Sequence, residues 1–217
     1  EVELKFLGFG TMNGKDGKPF KTREGGVMRL ENLINEINEE MYKKIVENRT
    51  VSEDEGRKTA QIVGLSALKY GDLSNQASKD YVFDIDRFTS FEGNTGPYIL
   101  YTIVRIKSIM NKYAESGNSL EGCELLAPAN PSEKALMLEV SKFNEVIENA
   151  YKDTAPHKIC AYIYDLANAF NRFYHETKIL SEEDTTRRES YIALLKLTRK
   201  VLETCIDLLG FEAPERM

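Results

Sequence analysis

The stretch from Pro97 to Tyr113, PYILYTIVRIKSIMNKY, decides the fold of this chain. Its apolar residues recur at the spacing of one helical face, and the turn-forming segment GNTGP at residues 93–97 leads into it. The stripe consists of Ile99, Ile103, Ile106, Met110 and Tyr113. A helix buries such a stripe against neighbouring helices and leaves its other face polar. The stretch therefore predicts a long amphipathic helix inside a larger helical body.

Three further segments carry apolar stripes of the same kind. Their members are Leu136, Val140, Phe143 and Ile147; Ile159, Ile163, Leu166, Phe170 and Phe173; and Tyr191, Leu194, Leu195, Thr198, Val201, Leu202, Cys205 and Leu209. Residues 117–131, which contain two glycines and two prolines, make the longest predicted loop. Several long helices, each with one apolar face, are typical of an antiparallel helical bundle. We therefore predict a mainly α fold, with the bundle formed by residues 93–217.

The first 92 residues predict a short α/β segment. Residues 1–10 read as a strand, and residues 80–88 as a strand or extended connector. Two helices are expected between them, and Ser52 with Glu55 forms a capping box for the second. Their apolar positions are Leu30, Leu33, Ile34, Ile37, Met41 and Ile45, and then Ile62, Leu65, Ala67 and Leu68. Four glycines and a proline in residues 11–26 exclude regular structure there, so we expect a mobile basic loop.

Composition and charge exclude some classes of function. The chain is 41% hydrophobic and 29% charged, and its apolar runs are far shorter than the roughly 20 residues of a membrane helix. We therefore expect a soluble protein without a membrane partner. A net charge of -6 disfavours binding that depends on phosphate neutralisation alone. Two local basic patches, residues 5–29 with six basic and two acidic residues and residues 187–200 with five and one, predict two specific contacts.

The cysteines and histidines show no pattern of a metal site or of nucleophilic catalysis. Cys123, Cys160 and Cys205 lie far apart without a CxxC spacing, which fits reduced thiols in a cytoplasmic protein. We expect His157 in the first turn of its helix and His175 on the surface near the end of the same helix. No metal ligands are predicted.

The basic loop could act on phosphate. Lys18, Lys21 and Arg23 are flanked by glycines, so their charges could move onto a developing negative charge. A surface loop that happens to be basic explains the same composition. The chain has neither a Walker pattern nor a GxGxxG motif after a strand.

A second candidate site lies on the exposed face of the 97–113 helix. Tyr98, Tyr101 and Arg105 fall off the apolar stripe, and aromatic rings with a guanidinium group are suited to bind unstacked bases. Asn171 and Tyr174 are offset in the same way on a later helix. Two alternatives stay open: the tyrosines of the first helix pack against a neighbouring helix, and Asn171 is an ordinary polar residue on a solvated face.

Four strings, in order along the chain, resemble arginyl-tRNA synthetases. They are residues 14–26, GKDGKPFKTREGG; residues 91–98, FEGNTGPY; residues 167–176, ANAFNRFYHE; and residues 208–217, LLGFEAPERM. The first resembles the loop that these enzymes carry in place of the KMSKS signature of class I synthetases. The resemblance therefore covers essentially the whole chain.

The resemblance implies catalytic roles for Lys18 and Lys21, which match the two KMSKS lysines. It implies that Lys18, Lys21, Thr22 and Arg23 bind ATP, together with Mg²⁺, and we favour Lys21 for stabilising the transition state. Met and Ser of the signature are replaced here by Pro19 and Phe20.

For the bundle, the resemblance implies a DALR-type anticodon-binding domain at residues 93–217, preceded by the end of a class I catalytic domain at residues 1–92. Tyr101, Arg105, Tyr174 and Met217 match positions that contact the anticodon loop in relatives. The predicted anticodon-binding set is Tyr98, Tyr101, Arg105, Asn171, Tyr174 and Met217.

The whole enzyme implied by the resemblance joins arginine to tRNA(Arg) with ATP and acts as a monomer. Its HIGH motif and arginine pocket are expected before Glu1, so we expect this chain alone to be inactive, without a tightly bound cofactor. We also expect the apolar opening strand to self-associate or to fold over the bundle. A freestanding interaction module derived from a synthetase, and a different class I synthetase, are the alternatives.

Overall fold

The computed structural model describes residues 2, 4–19, 29–48 and 50–217, with eight helices and two short strands in those ranges. The helices are α1 (Leu30–Asn48), α2 (Glu53–Leu73), α3 (Ile85–Phe88), α4 (Gly96–Glu115), α5 (Pro131–Ser141), α6 (Phe143–Asp153), α7 (Pro156–Glu176) and α8 (Thr185–Leu208). Strands β1 (Met12–Asn13) and β2 (Tyr81–Val82) pair in parallel. The predicted mainly α fold is confirmed. Within the described ranges, no helix has the length and apolar character needed to cross a membrane.

Side-chain caps set the starts of α2 and α4. The hydroxyl of Ser52 accepts a hydrogen bond from the Glu55 N–H at 3.2 Å, as the capping box predicted for α2. The Thr95 hydroxyl does the same for the Tyr98 N–H at 3.2 Å, and Pro97 occupies the first turn of α4. Each cap satisfies a donor that has no partner inside its helix. The tight segment before α4 therefore fixes where Tyr98 and the residues after it point.

Replacing Ser52 with alanine should lower the free energy of unfolding by about 1 kcal/mol, because the Glu55 N–H loses its acceptor. Thermal denaturation followed by circular dichroism should show a fall of roughly 2–4 °C in the melting temperature. Ser108→Ala, at an exposed position on α4, is the matched control and should leave the melting temperature unchanged. Equal melting temperatures for the two variants would contradict the role of Ser52 as a cap.

The four predicted stripes meet in one hydrophobic core. The stripes on α4, α7 and α8 are buried, and these helices pack against one another. Helix α2 lies against α4 and α7, and α1 pairs with α2, so buried residues from Leu33 to Phe211 form a single cluster. The α1–α2 hairpin is thus packed onto the bundle through a shared core.

Glycine allows the closest of these approaches. A Cβ on Gly96, at the start of α4, would lie 2.3 Å from the carbonyl oxygen of Ser66 on α2. A Cβ on Gly64 of α2 would lie 2.3 Å from the Asn38 side-chain oxygen on α1. A side chain at Gly96 would push α4 away from α2, whereas one at Gly64 would require the Asn38 side chain to move.

Some local predictions were wrong. No strand forms in the described part of residues 1–10, whose apolar side chains are exposed. The paired strand starts at Met12, inside residues 11–26, where no regular structure was expected. A strand needs a partner for its backbone groups, and β2 supplies one only for Met12 and Asn13. The stripe from Leu136 to Ile147 is divided between α5 and α6, because the Lys142 N–H bonds back to the Glu139 carbonyl and tightens the turn. On α2, Leu65 is 37% exposed and Val63 is buried instead.

Candidate nucleic-acid interface

A cavity of about 660 Å³ opens between α1, α4, α7 and the end of the chain. It is lined by Lys44, Ile45, Phe91, Glu92, Tyr98, Tyr101, Arg105, Asn171, His175 and Met217. Five of the six residues predicted to bind an anticodon therefore share one cavity, although they are separated by up to 119 positions in the sequence. The sixth, Tyr174, does not line the cavity, but its ring contacts the Arg105 side chain, which does.

Arg105 lies between two aromatic rings. Its guanidinium carbon is 4.7 Å from the centre of the Tyr101 ring and 5.1 Å from the centre of the Tyr174 ring. Its Nη1 atom donates a hydrogen bond to the Asn171 side-chain oxygen at 2.5 Å. Cation–π contacts and this hydrogen bond hold a charged, planar group in one orientation at the cavity wall. Arg105 is thus positioned before any ligand arrives.

Asn171 ties α7 to α4 with both ends of its amide. Its oxygen accepts from Arg105, while its nitrogen donates to the Tyr98 hydroxyl at 2.9 Å and to the Thr102 hydroxyl at 3.3 Å. The Tyr98 hydroxyl in turn donates to the Asn168 side-chain oxygen at 2.7 Å. Burial raises the pKa of Tyr98, which keeps its hydroxyl protonated as a donor. A base edge would have to displace one of these partners to reach the Asn171 amide.

The three tyrosines differ in what they present to solvent. Tyr98 is half-buried and meets the Tyr164 ring edge-on at 5.8 Å, which is the packing role left open from the sequence. Tyr101 is 41% exposed and Tyr174 is 38% exposed. The inner side of Tyr174 stacks on buried Phe170, with ring centres 6.1 Å apart and planes at 26°. Tyr101 and Tyr174 therefore offer aromatic surface, and Tyr98 supports the wall beneath it.

Sequence reasoning missed five of the residues that line the cavity. Lys44 and Ile45 come from α1, and Phe91, Glu92 and His175 complete the lining. The Lys44 ammonium group donates to the Thr89 hydroxyl at 2.7 Å and lies 3.7 Å from a Glu40 carboxylate oxygen. Phe91 and Glu92 fall within residues 91–98, the second string that resembles the family, so the sequence could have indicated them. Nothing local in the sequence indicates that α1 reaches this site.

Of the other predicted site residues, the structure describes only Lys18, which does not line the cavity. Lys18 is exposed, and its backbone N–H bonds to the Asp16 carboxylate at 3.1 Å. Lys15 fixes the start of the same loop, with its ammonium 3.1 Å from Asp84 and 3.0 Å from Asp86. Residues Lys21, Thr22 and Arg23 fall outside the described residues. In the described ranges, no group of three or more His, Cys, Asp or Glu side chains could hold a metal ion.

The second basic patch is largely occupied by internal contacts. The Arg187 side chain donates to the Ala127 carbonyl at 2.7 Å, and the Arg188 side chain donates to the Glu182 carbonyl at 2.8 Å. The Lys196 ammonium group is 2.9 Å from a carboxylate oxygen of Glu121, which lies in the same loop as Ala127. These cations fasten loop segments onto α8. The patch therefore has a structural role that its charge count did not indicate.

Two of the three free cysteines, Cys160 and Cys205, are buried. Both are fully buried, and burial raises the pKa of each to about 12. They stay protonated and behave as small apolar residues.

Comparison with known proteins shows which families the two parts of the chain match. Residues 99–217 match the family model described as the DALR anticodon binding domain, and residues 1–85 match the model described as the catalytic domain of class I (R) tRNA synthetases. Fold and cavity together define a helical anticodon-binding domain of the synthetase type. The chain belongs to the DALR anticodon binding domain family, whose model covers more than half of it.

The similar proteins are arginine–tRNA ligases. The chain is 63% identical to the arginine–tRNA ligase of Agathobacter rectalis and 58% identical to that of Alkaliphilus oremlandii, with all of this chain aligned in both cases. It spans only 38% and 37% of the lengths of those two relatives. The solved Thermus thermophilus arginyl-tRNA synthetase superposes with a TM-score of 0.82 at 27% identity, over 97% of this chain and 35% of that one. The chain is therefore homologous to a region of arginine–tRNA ligases that carries the end of the catalytic domain and the anticodon-binding domain.

Proposed function

We propose that this chain recognises the anticodon stem-loop of tRNA(Arg), as part of an arginine–tRNA ligase that activates arginine with ATP and transfers it to that tRNA. The observation that carries the proposal is Arg105, held between Tyr101 and Tyr174 at the wall of a cavity in an anticodon-binding bundle. Proteins that read RNA sequence bind splayed bases of single-stranded loops, stacking them on aromatic rings or guanidinium planes. The wall supplies both types of surface, and Met217 adds an apolar side chain.

The catalytic part of the proposal rests on the loop. Lys18 and Lys21 are proposed to act on the ATP phosphates, with Thr22 and Arg23 completing the set and Mg²⁺ accompanying the nucleotide. Lys18 is the one member of this set that the structure describes. Because the chain spans only 38% and 37% of the lengths of the two relatives, we expect the 217-residue chain alone to lack aminoacylation activity and to hold no cofactor tightly.

The remaining expectations concern organisation and compartment. We place the boundary between the catalytic part and the bundle at residues 92 and 93, which lie between the two family matches. Buried, protonated thiols fit the reducing cytoplasm. A whole ligase of this kind is proposed to be a monomer, and the exposed side chains of Val2, Leu4 and Phe6 would let the isolated chain self-associate.

Binding of the chain to a labelled anticodon stem-loop of tRNA(Arg), measured by fluorescence anisotropy, tests the proposal. We expect specific binding that weakens as salt rises, because Arg105 and Lys44 displace counterions from phosphate. The same stem-loop with a changed anticodon is the control and should bind at least about fivefold more weakly, since one wrong base costs about 1–3 kcal/mol in base readout. Equal affinity for both stem-loops would contradict anticodon recognition.

The alternative of a freestanding interaction module predicts a different outcome. Such a module would bind neither stem-loop specifically at any salt concentration. Aminoacylation by the whole protein, tested against a panel of amino acids, separates arginine from the substrates of other class I synthetases.

A further inference from the structure

Lys107 is an unusual buried charge. It is 4% exposed on α4, although lysine is among the residues that are least often buried. Its ammonium group lies 2.7 Å from a Glu215 carboxylate oxygen, 3.6 Å from a Glu203 carboxylate oxygen and 3.3 Å from the Pro214 carbonyl oxygen. Burying an ammonium group is costly unless it is paired and hydrogen-bonded. Two of its three partners belong to the segment that follows α8.

This segment is fastened at two separate points. Just after α8, Gly210 turns the chain with φ of +79°, the Lys69 ammonium donates to its carbonyl at 2.5 Å, and Phe211 is buried. The second point is Lys107, which holds Pro214 and Glu215. The hydrogen bond from Lys107 lowers the pKa of the Glu215 carboxyl, so this carboxylate remains ionised at neutral pH. The segment then ends at Met217, on the cavity wall.

Helix geometry separates the holding point from the cavity. Residues two positions apart on a helix point about 200° from each other, so Arg105 faces the cavity while Lys107 faces the opposite side of α4. Lys107 therefore does not line the cavity. Its influence on the site must pass through the segment that it holds.

We propose that Lys107 is a positioning residue for the base-binding cavity, acting by fixing residues 214–215 so that Met217 completes the wall. The proposal rests on the proposed function for its effect on RNA. From Glu215, Met217 is two residues away and stays within about 7 Å. Without Lys107 the nearest buried residue is Pro214, three residues away, with a reach of about 10 Å. A tether about 1.5 times longer lowers the local concentration of Met217 at the cavity about twofold.

The placement of Met217 can be measured without RNA. The chain has six methionines, whose methyl groups can be labelled with ¹³C. The resonance that disappears in Met217→Leu is that of Met217. In Lys107→Leu we expect this resonance to sharpen and move to the position of a methionine in an unstructured peptide. Glu215→Ala should give the same result, and its carboxylate side chain is 82% exposed, so this variant should fold even where Lys107→Leu does not. Lys107→Arg should retain the original resonance.

Binding to the tRNA(Arg) anticodon stem-loop then tests the consequence. Lys107→Leu and Glu215→Ala should each raise Kd about twofold, whereas Lys134→Leu, at an exposed position on α5, should not change it. In the Lys107→Leu or Glu215→Ala background, Met217→Ala should have less effect than it has alone, since the two changes remove the same contact. Additive effects, or a Met217 resonance unchanged in both variants, would overturn the proposal. If the unaltered chain does not bind the stem-loop, the proposed function fails, and the methyl resonance still decides whether Lys107 places Met217.

Discussion

Arg105→Ala should weaken binding of the tRNA(Arg) anticodon stem-loop by about 100-fold, which corresponds to about 2.7 kcal/mol. The change removes a charged donor that is already oriented by Tyr101, Tyr174 and Asn171. It also leaves the Asn171 oxygen without its partner, so the amide that joins α4 to α7 can turn. Hydrogen bonds from charged groups contribute about 1.5–3 kcal/mol, and stacking on a base about 1–3 kcal/mol. Fluorescence anisotropy at fixed salt gives the change in Kd.

Arg57→Ala is the matched control for this variant. The Arg57 guanidinium carbon also lies over a tyrosine ring, 4.6 Å from the centre of Tyr42, but Arg57 lines a different cavity between α1 and α2. The two variants therefore remove the same charge and the same kind of aromatic contact. We expect less than a twofold change for Arg57→Ala. Arg105→Lys, which keeps the charge without the planar group, should fall in between, at about tenfold. Similar losses for Arg57→Ala and Arg105→Ala would mean that net charge alone governs binding.

Gly96→Ala should lower the free energy of unfolding by about 3 kcal/mol, the upper end of the range for overpacking. The added Cβ would lie 2.3 Å from the Ser66 carbonyl oxygen and 2.5 Å from its carbonyl carbon. Both are backbone atoms of α2, so neither can rotate away, and the start of α4 must move. For a chain of this size, the melting temperature should fall by roughly 6–12 °C. The same movement shifts Tyr98 and Tyr101, so stem-loop affinity should also fall in the folded variant.

Gly93→Ala separates this close approach from backbone strain. Gly93 has φ of +80°, but a Cβ there would meet nothing within 4 Å. We expect a cost of about 1–2 kcal/mol from the left-handed backbone conformation alone. A melting temperature for Gly96→Ala at or above that of Gly93→Ala would contradict the close contact between α4 and α2.

Much of the helical framework could be predicted from the sequence, because helix formation depends on local patterns. The stripe from Ile99 to Tyr113 lies on one buried helix, and the stripes on α7 and α8 are buried as predicted. Ser52 caps α2 as its spacing with Glu55 indicated. The opening strand was wrong because alternation in a sequence cannot show whether a pairing partner exists. Only Met12 and Asn13 find one in β2.

The candidate site could be predicted only in part. Tyr101, Arg105 and Tyr174 were identified from the exposed face and from resemblance, and the structure brings them into contact. Their roles in RNA binding stay predictions that the variants above test. The sequence did not show that the amide of Asn171 has partners within the protein at both ends.

The family, the helices and most of their buried faces could be predicted from the sequence, since a stripe with the helical period and a capping residue act over a few neighbouring positions. Which faces meet became known only from the packing of the helices. This packing placed Lys44 of α1 at the cavity, used the cations of residues 187–196 to fasten loop segments onto α8, and set Lys107 against the segment that carries Met217. These contacts join positions that are dozens of residues apart. They depend on how the helices pack around a shared core, and a local sequence pattern does not specify that packing.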